Sequence, residues 1–177
     1  IKTFSRMNFP RILKKRKGYI VRIKPFMQKS VAKVLTGQRR VGKSFLLYQL
    51  IEEILAEEPD ANIIYVNLED FTFSSLQTAE DLHSYIISHS KEKVKNYIFI
   101  DEIQDIPGFE KVIRSLLLNE DNDIYITGSN AKMLSGELAT YLSGRYIEFK
   151  IYSLSYSEFL EFHGLTESET SYELYSR

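Results

Sequence analysis

The segment Gly37-Gln38-Arg39-Arg40-Val41-Gly42-Lys43-Ser44 limits the folds open to this 177-residue chain more than any other stretch. Before it lies a short β-branched run, Val31 to Thr36. After it, Phe45, Leu46, Leu47, Leu50, Ile51, Ile54 and Leu55 recur at helical spacing until Pro59-Asp60 closes the helix. Strand, glycine-framed loop and helix in that order fit G-x-x-x-x-G-K-[ST] in the context the pattern requires. Gly37 and Gly42 permit a tight loop whose backbone N–H groups point inward, and the helix starting at Lys43 adds its partial positive charge at the same place. Such a loop is a cradle for phosphate. Residues Gly37, Gln38, Arg39, Arg40, Val41 and Gly42 surround it, the Lys43 ammonium reaches the β- and γ-phosphates, and the Ser44 hydroxyl ligates Mg²⁺.

Further along, strands and helices alternate. Asn62 to Leu68 reads as a second strand, Asn96 to Ile100 as a third that is apolar throughout, Asp123 to Thr127 as a fourth and Arg145 to Phe149 as a fifth. Between them, helices are expected over Ala79–Ser90, from Pro107 onward with Phe109, Val112, Ile113, Leu116 and Leu117 as its stripe, over Ala131–Leu142, and from Ser155 to His163. This pattern implies βαβ crossovers, hence an α/β fold with a parallel sheet of about five strands flanked by helices. Residues 1–30 form a basic N-terminal segment in which Tyr19 to Ile23 is a candidate extra strand.

The third strand ends in Tyr97-Ile98-Phe99-Ile100-Asp101-Glu102. Ligands of open α/β sheets lie outside the carboxyl ends of the strands, so Asp101 emerges beside the phosphate loop as a candidate Mg²⁺ ligand. Glu102, one residue on, is placed to deprotonate a water aligned with the γ-phosphorus. The fourth strand ends in Thr127-Gly128-Ser129-Asn130, where Ser129 or Asn130 can hold that water or simply cap the next helix. Asn67, ending the second strand, is a candidate to hydrogen-bond Glu102 and hold it back. Arg145 either neutralises charge on the γ-phosphate, within the chain or on a neighbouring subunit, or forms an ordinary salt bridge.

Composition matters mainly for what it excludes. There is no cysteine, so no disulfide, thiolate metal site or cysteine nucleophile exists, which fits a cytoplasmic setting. No apolar run approaches the roughly 20 residues needed to span a bilayer, so no membrane partner is expected. His83, His89 and His163 lack metal-ligand spacing, and the acidic run Glu120-Asp121-Asn122-Asp123 reads as a solvated loop. Net charge is −1, yet residues 1–51 hold fourteen Lys/Arg and no Asp/Glu, against nine basic and twenty-four acidic residues beyond. Two readings follow. Arg11, Lys14, Lys15, Arg16, Lys17, Arg22 and Lys24, with Phe4, Phe9 and Tyr19 among them, bind DNA or RNA, or the segment folds back on an acidic face of its own domain.

Taken together, the loop at 37–44, Tyr97-Ile98-Phe99-Ile100-Asp101-Glu102-Ile103-Gln104 and Thr127-Gly128-Ser129-Asn130-Ala131 resemble the AAA+ division of P-loop ATPases. More narrowly, the chain is similar to a bacterial and archaeal ATPase group with GxRRxGKS, DEIQ, TGSNA and LSGR-Y motifs, the last present as Leu142-Ser143-Gly144-Arg145-Tyr146. The resemblance covers about residues 30 to 163. It implies a P-loop NTPase of AAA+ type with sheet order 5-1-4-3-2, ATP and Mg²⁺ as ligands, and ATP hydrolysis coupled to a macromolecular partner. It also implies Lys43, Ser44 and Asp101 as phosphate and metal residues, Glu102 as base, and Ser129 or Asn130 as sensor. Related ATPases often form homo-oligomeric rings. Longer relatives continue into a helical lid and an effector region, so residues 31–163 are expected to be the ATPase core and 164–177 the start of a truncated lid. The initial Ile in place of Met suggests a native start further upstream. A nucleotide-dependent switch with little turnover is the alternative. A GTPase is disfavoured by the absence of an Asn/Thr-Lys-x-Asp motif.

Overall fold

Neighbouring residues of a strand face opposite sides of its sheet, and here both sides are apolar. The computed structural model describes residues 14–129, 141, 142 and 144–176. Among these, β1 (Ala32–Gly37), β2 (Asn62–Asn67), β3 (Asn96–Asp101), β4 (Asn122–Ser129) and β5 (Tyr146–Lys150) form one sheet in the order 2-3-4-1-5, with every pairing parallel. This is the expected order read from the other edge. Six α-helices given in full by the described residues accompany the strands: α1 (Lys17–Ile23), α2 (Lys43–Glu57), α3 (Ala79–His89), α4 (Phe109–Leu116), α5 (Tyr156–His163) and α6 (Glu169–Ser176).

Alternation divides the strands between two cores. Val34, Ile64, Val66, Ile98, Ile100, Ile124 and Ile126 pack with Leu82 and Ile86 of α3 and with Phe109, Val112, Ile113 and Leu116 of α4. Their neighbours Leu35, Ile63, Tyr65, Tyr97, Phe99 and Tyr125 pack with α2 through Leu46, Leu47, Leu50, Ile51 and Ile54, and with Ile20 and Ile23 of α1. The second face is the more aromatic, with Phe99 and Tyr125 stacked at 4.5 Å between ring centroids. Each fully buried Leu or Ile contributes about 1.5–3 kcal/mol, so this two-sided burial is what holds the strand ends in place.

Three expectations need correction. Tyr19 to Ile23 is not a strand but the body of α1, because Ile20 and Ile23, three residues apart, face the core while Val21 and Arg22 are exposed. Glu120 to Asp123 is not wholly a solvated loop: Asn122 and Asp123 begin β4 and are buried, Asp123 as the partner of Lys33. The helix expected from Pro107 starts two residues later, at Phe109, after Gly108 takes φ +73°. Helix α6 has no counterpart in the sequence reading. It is held by Tyr172 and Tyr175 against Tyr156, and by Tyr175 against Phe159. Residues 131–140 of the helix expected over Ala131–Leu142 lie outside the described residues. No helix among the described residues is long and apolar enough to cross a membrane.

Candidate functional site

The loop between β1 and α2 adopts two left-handed residues, Arg40 at φ +66° and Gly42 at φ +91°. Gly42 suits this conformation because it carries no Cβ. Gly37 is required for a different reason: a Cβ there would lie 2.5 Å from the Ile151 carbonyl oxygen and 3.0 Å from Val41 Cγ2. Lys43 opens α2 and is 4% exposed. Its Nζ donates to the carbonyls of Gln38 (3.1 Å) and Gly37 (3.3 Å), folding the ammonium back over the loop. Ser44 follows in the first turn of α2, half-buried.

The same ammonium lies 3.4 Å from Glu102 Oε1. The loop cation and the acid pair therefore converge, although 59 residues separate them in the chain. Two strand neighbours organise the acids. The Thr127 hydroxyl of β4 donates to Asp101 Oδ1 and accepts the Glu102 N–H at 3.0 Å. The Tyr65 hydroxyl of β2 donates to Asp101 Oδ2 at 3.2 Å and is joined to the Tyr48 hydroxyl at 3.1 Å. Burial first, and then the Asp101 charge, push the Tyr65 phenol far above its ordinary range, so it remains a donor. Glu102 itself is left-handed at φ +56°, a strained conformation for a side-chain-bearing residue of the kind that concentrates at functional sites. Gln104 Nε2 donates to Glu102 Oε2 at 2.6 Å, while Gln104 Oε1 is buried without a partner among the described residues.

The other candidates separate. Ser129 ends β4 opposite Gly37 in the β1–β4 register, beside the start of the loop. Asn130 lies outside the described residues. Asn67 does not restrain Glu102: its Oδ1 accepts the Glu69 N–H at 3.1 Å, closing a turn. Arg39 is exposed and pairs with Glu69 at 3.1 Å. Arg145 precedes β5, and its carbonyl accepts the Ala32 N–H at the start of β1. From Ala32 to Gly37 a parallel strand advances about 16 Å. Arg145, exposed at that opposite end of the sheet, is thus kept from the loop of its own chain.

Among the described residues, several charges of the basic segment are paired within the chain. Lys15 pairs with Glu53 and Lys24 with Glu57, both at 2.6 Å, and Lys14 donates to the carbonyls of Glu161 and Phe162. Arg16 is 4% exposed and pairs with Glu158 at 2.9 Å. Lys17 and Arg22 stay exposed, and Arg11, Phe4 and Phe9 lie outside the described residues. The sequence reading named Arg16 only within a basic group, meant either for DNA or RNA or for an acidic face of its own domain, and assigned no role to Thr127, Tyr65 or Gln104. The signal for Thr127 was its place in the β4 run beside the acid pair.

The described residues contain no group of three or more His, Asp or Glu able to hold a metal unaided. The oxygen donors of Ser44 and Asp101 nevertheless suit Mg²⁺, which commonly takes one or two carboxylates and completes its shell with phosphate and water oxygens.

A parallel 2-3-4-1-5 sheet with a phosphate loop after β1 and an acid pair after β3 defines a P-loop NTPase architecture of AAA+ type. The chain belongs to the AAA domain family, whose model matches residues 29–160. It is 44% identical over 152 residues to an uncharacterized protein of Haemophilus influenzae, covering 82% of this chain and 37% of that protein. It is 37% identical over 131 residues to an uncharacterized protein of Methanocaldococcus jannaschii, covering 73% of this chain and 28% of that protein. The chain thus spans about a third of the length of these relatives. Among solved structures it is similar in fold to Saccharomyces cerevisiae Hsp104 in its complex with casein, with TM-score 0.63 and 16% identity over 92% of this chain and 31% of that one.

Proposed function

We propose that this AAA-family P-loop domain binds ATP with Mg²⁺ and hydrolyses it, in the service of a macromolecular partner. The observation that carries the reading is the 3.4 Å approach of the Lys43 ammonium to Glu102, which unites loop and acid pair in one site. In this reading residues 37–42 wrap the phosphates, Lys43 neutralises the β- and γ-oxygens, and Ser44 with Asp101 holds the metal. Bound Mg²⁺ would supply charge neutralisation across the β- and γ-phosphates.

Glu102 takes a proton from water as the water oxygen bonds to the γ-phosphorus. The bond from that phosphorus to the β–γ bridging oxygen breaks, releasing ADP and phosphate. A triphosphate in the loop competes with Glu102 for the Lys43 ammonium, and this competition frees the carboxylate to act as base. Thr127 and Tyr65 hold Asp101 in orientation, and Ser129 or Asn130 steadies the water. Arg145, at the other end of the sheet from its own loop, serves the site of a neighbouring copy in a homo-oligomer. Residues 31–163 form the core of this module, and 164–177 begin the lid.

Replacing Glu102 by Gln tests the assignment. ATP binding, measured by calorimetry, should stay within a few fold, while phosphate release falls by about 10²–10⁴-fold. Unchanged turnover removes Glu102 from the role of base. A second reading, a nucleotide-dependent switch with little turnover, is favoured by the double hold of Lys43 and Gln104 on Glu102. Tight ATP binding by the unmodified chain without phosphate release, even with DNA added, would select it.

A further inference from the structure

Outside the site just described, the Arg16 side chain is buried and hydrogen-bonded through its whole guanidinium. Its Nε and one terminal nitrogen form a two-pronged pair with the Glu158 carboxylate, each at 2.9 Å. The other terminal nitrogen donates to the Val41 carbonyl at 3.0 Å and to the Tyr152 carbonyl at 2.9 Å, and the fifth N–H goes to the Ser153 carbonyl at 3.3 Å. All five guanidinium donors are thereby matched. The Tyr19 ring lies 4.5 Å from the guanidinium carbon. The Arg16 main chain is gripped as well, its N–H donating to Gln49 Oε1 at 2.9 Å from the middle of α2.

These acceptors belong to two stretches far apart in the chain: the phosphate loop, and the run that leads from the exit of β5 into the first turn of α5. Val41 is the informative one, since it stands between the left-handed residues Arg40 and Gly42. A trans peptide sends its C=O and N–H in opposite directions. With the Val41 oxygen held by Arg16, the Gly42 N–H points the opposite way within that peptide plane. A phosphate oxygen bound by this N–H therefore pulls on the same plane that Arg16 holds from behind.

We propose that Arg16 is a positioning residue for the phosphate loop, and that through it nucleotide binding is communicated to α5 and the chain beyond. This rests on the nucleotide-binding reading above. Lysine cannot replace Arg16, because an ammonium has three donors and no planar fork with which to bridge a carboxylate and three carbonyls. Glu158 is the far end of the link. Hydrogen bonds from Arg16 hold its carboxyl below the usual carboxylate range, and it also closes the cap of α5 with Ser155.

The test is hydrogen exchange at residues 156–163 with and without a saturating non-hydrolysable ATP analogue and Mg²⁺, alongside the dissociation constant. In the unmodified chain the analogue should slow exchange there. Arg16→Met and Arg16→Lys should each weaken binding by about 10-fold and abolish that slowing at saturation, with β1 and β3 exchange unchanged. Glu158→Gln, which leaves the loop contact in place, should keep binding within threefold and still lose the slowing. It also decides the matter should Arg16→Met fail to fold. Binding without any effect on 156–163 in the unmodified chain overturns this proposal alone, as does a normal response in Glu158→Gln. No binding in the unmodified chain overturns both this proposal and the nucleotide-binding reading.

Discussion

Lys33–Asp123 and Lys43–Glu102 are both buried lysine–carboxylate pairs, but they occupy opposite ends of the sheet and are built differently. The side chains of Lys33 and Asp123 are both wholly buried and in direct contact. Lys33 also donates to the Lys29 carbonyl at 3.0 Å, and Asp123 accepts from the Tyr125 hydroxyl at 2.8 Å and the Gln28 N–H at 2.7 Å. Burial holds the Lys33 ammonium below its ordinary range, and Asp123 opposes that shift without cancelling it. The Lys43 pair is looser, at 3.4 Å, and two of the ammonium's contacts are loop carbonyls. A pair enclosed on every side braces the strands it joins. A pair beside a loop at the strand ends can exchange one partner for an incoming anion.

The largest expected effect comes from breaking the enclosed pair. Asp123→Ala should lower the unfolding free energy by about 3–5 kcal/mol, because it leaves an uncompensated buried ammonium. Urea titration measures this. The double replacement Lys33→Met with Asp123→Leu should recover most of the loss. A single-variant cost below about 1 kcal/mol would place the pair in the class of surface contacts.

Lys43→Met should do the reverse. Nucleotide affinity should fall by about 10- to 100-fold, the size of a lost charge-assisted contact, with little change in the urea midpoint. Normal affinity in that variant would erase the functional distinction between the two lysines.

The smallest effect concerns Arg16–Glu158, intermediate in exposure between a surface pair and these two. A carboxylate whose folded pKa is depressed adds stability above its unfolded value, about 4.3, and loses that stability as pH falls through the folded value. Wild type should therefore exceed Glu158→Gln by up to about 1 kcal/mol near neutrality. The gap should close on acidification below the ordinary glutamate range. A pH-independent gap would show that Glu158 acts by shape rather than charge.

How far the sequence could be read varied with the range of the interaction. The five strands and their order followed from local runs and from the family pattern. The phosphate loop was clear because all its parts are contiguous, from Gly37 to Ser44. Glu102 was recognisable by its place after an apolar strand, but its contacts with Lys43 and Gln104 were not. Thr127 and Tyr65 were hidden because residues of β4 and β2 meet Asp101 only once the strands pair. Tyr19–Ile23 was misread because five residues carry too little periodicity to separate a strand from a short helix, and only the packing of Ile20 and Ile23 decides it.

The amino-acid order alone determined the alternation of strand and helix, the glycine-framed loop and the acid pair that ends β3, since each depends on neighbours in the chain. The tertiary structure alone decided which charges face inward. It buried Asp123, read as part of a solvated loop, chose Arg16 from the basic group as the residue to bury, and set Arg145 about 16 Å down the sheet from the loop of its own chain. The reason is physical: a side chain's charge state and partners depend on what lies within a few ångströms of it, and in a parallel sheet those neighbours come from segments distant in sequence.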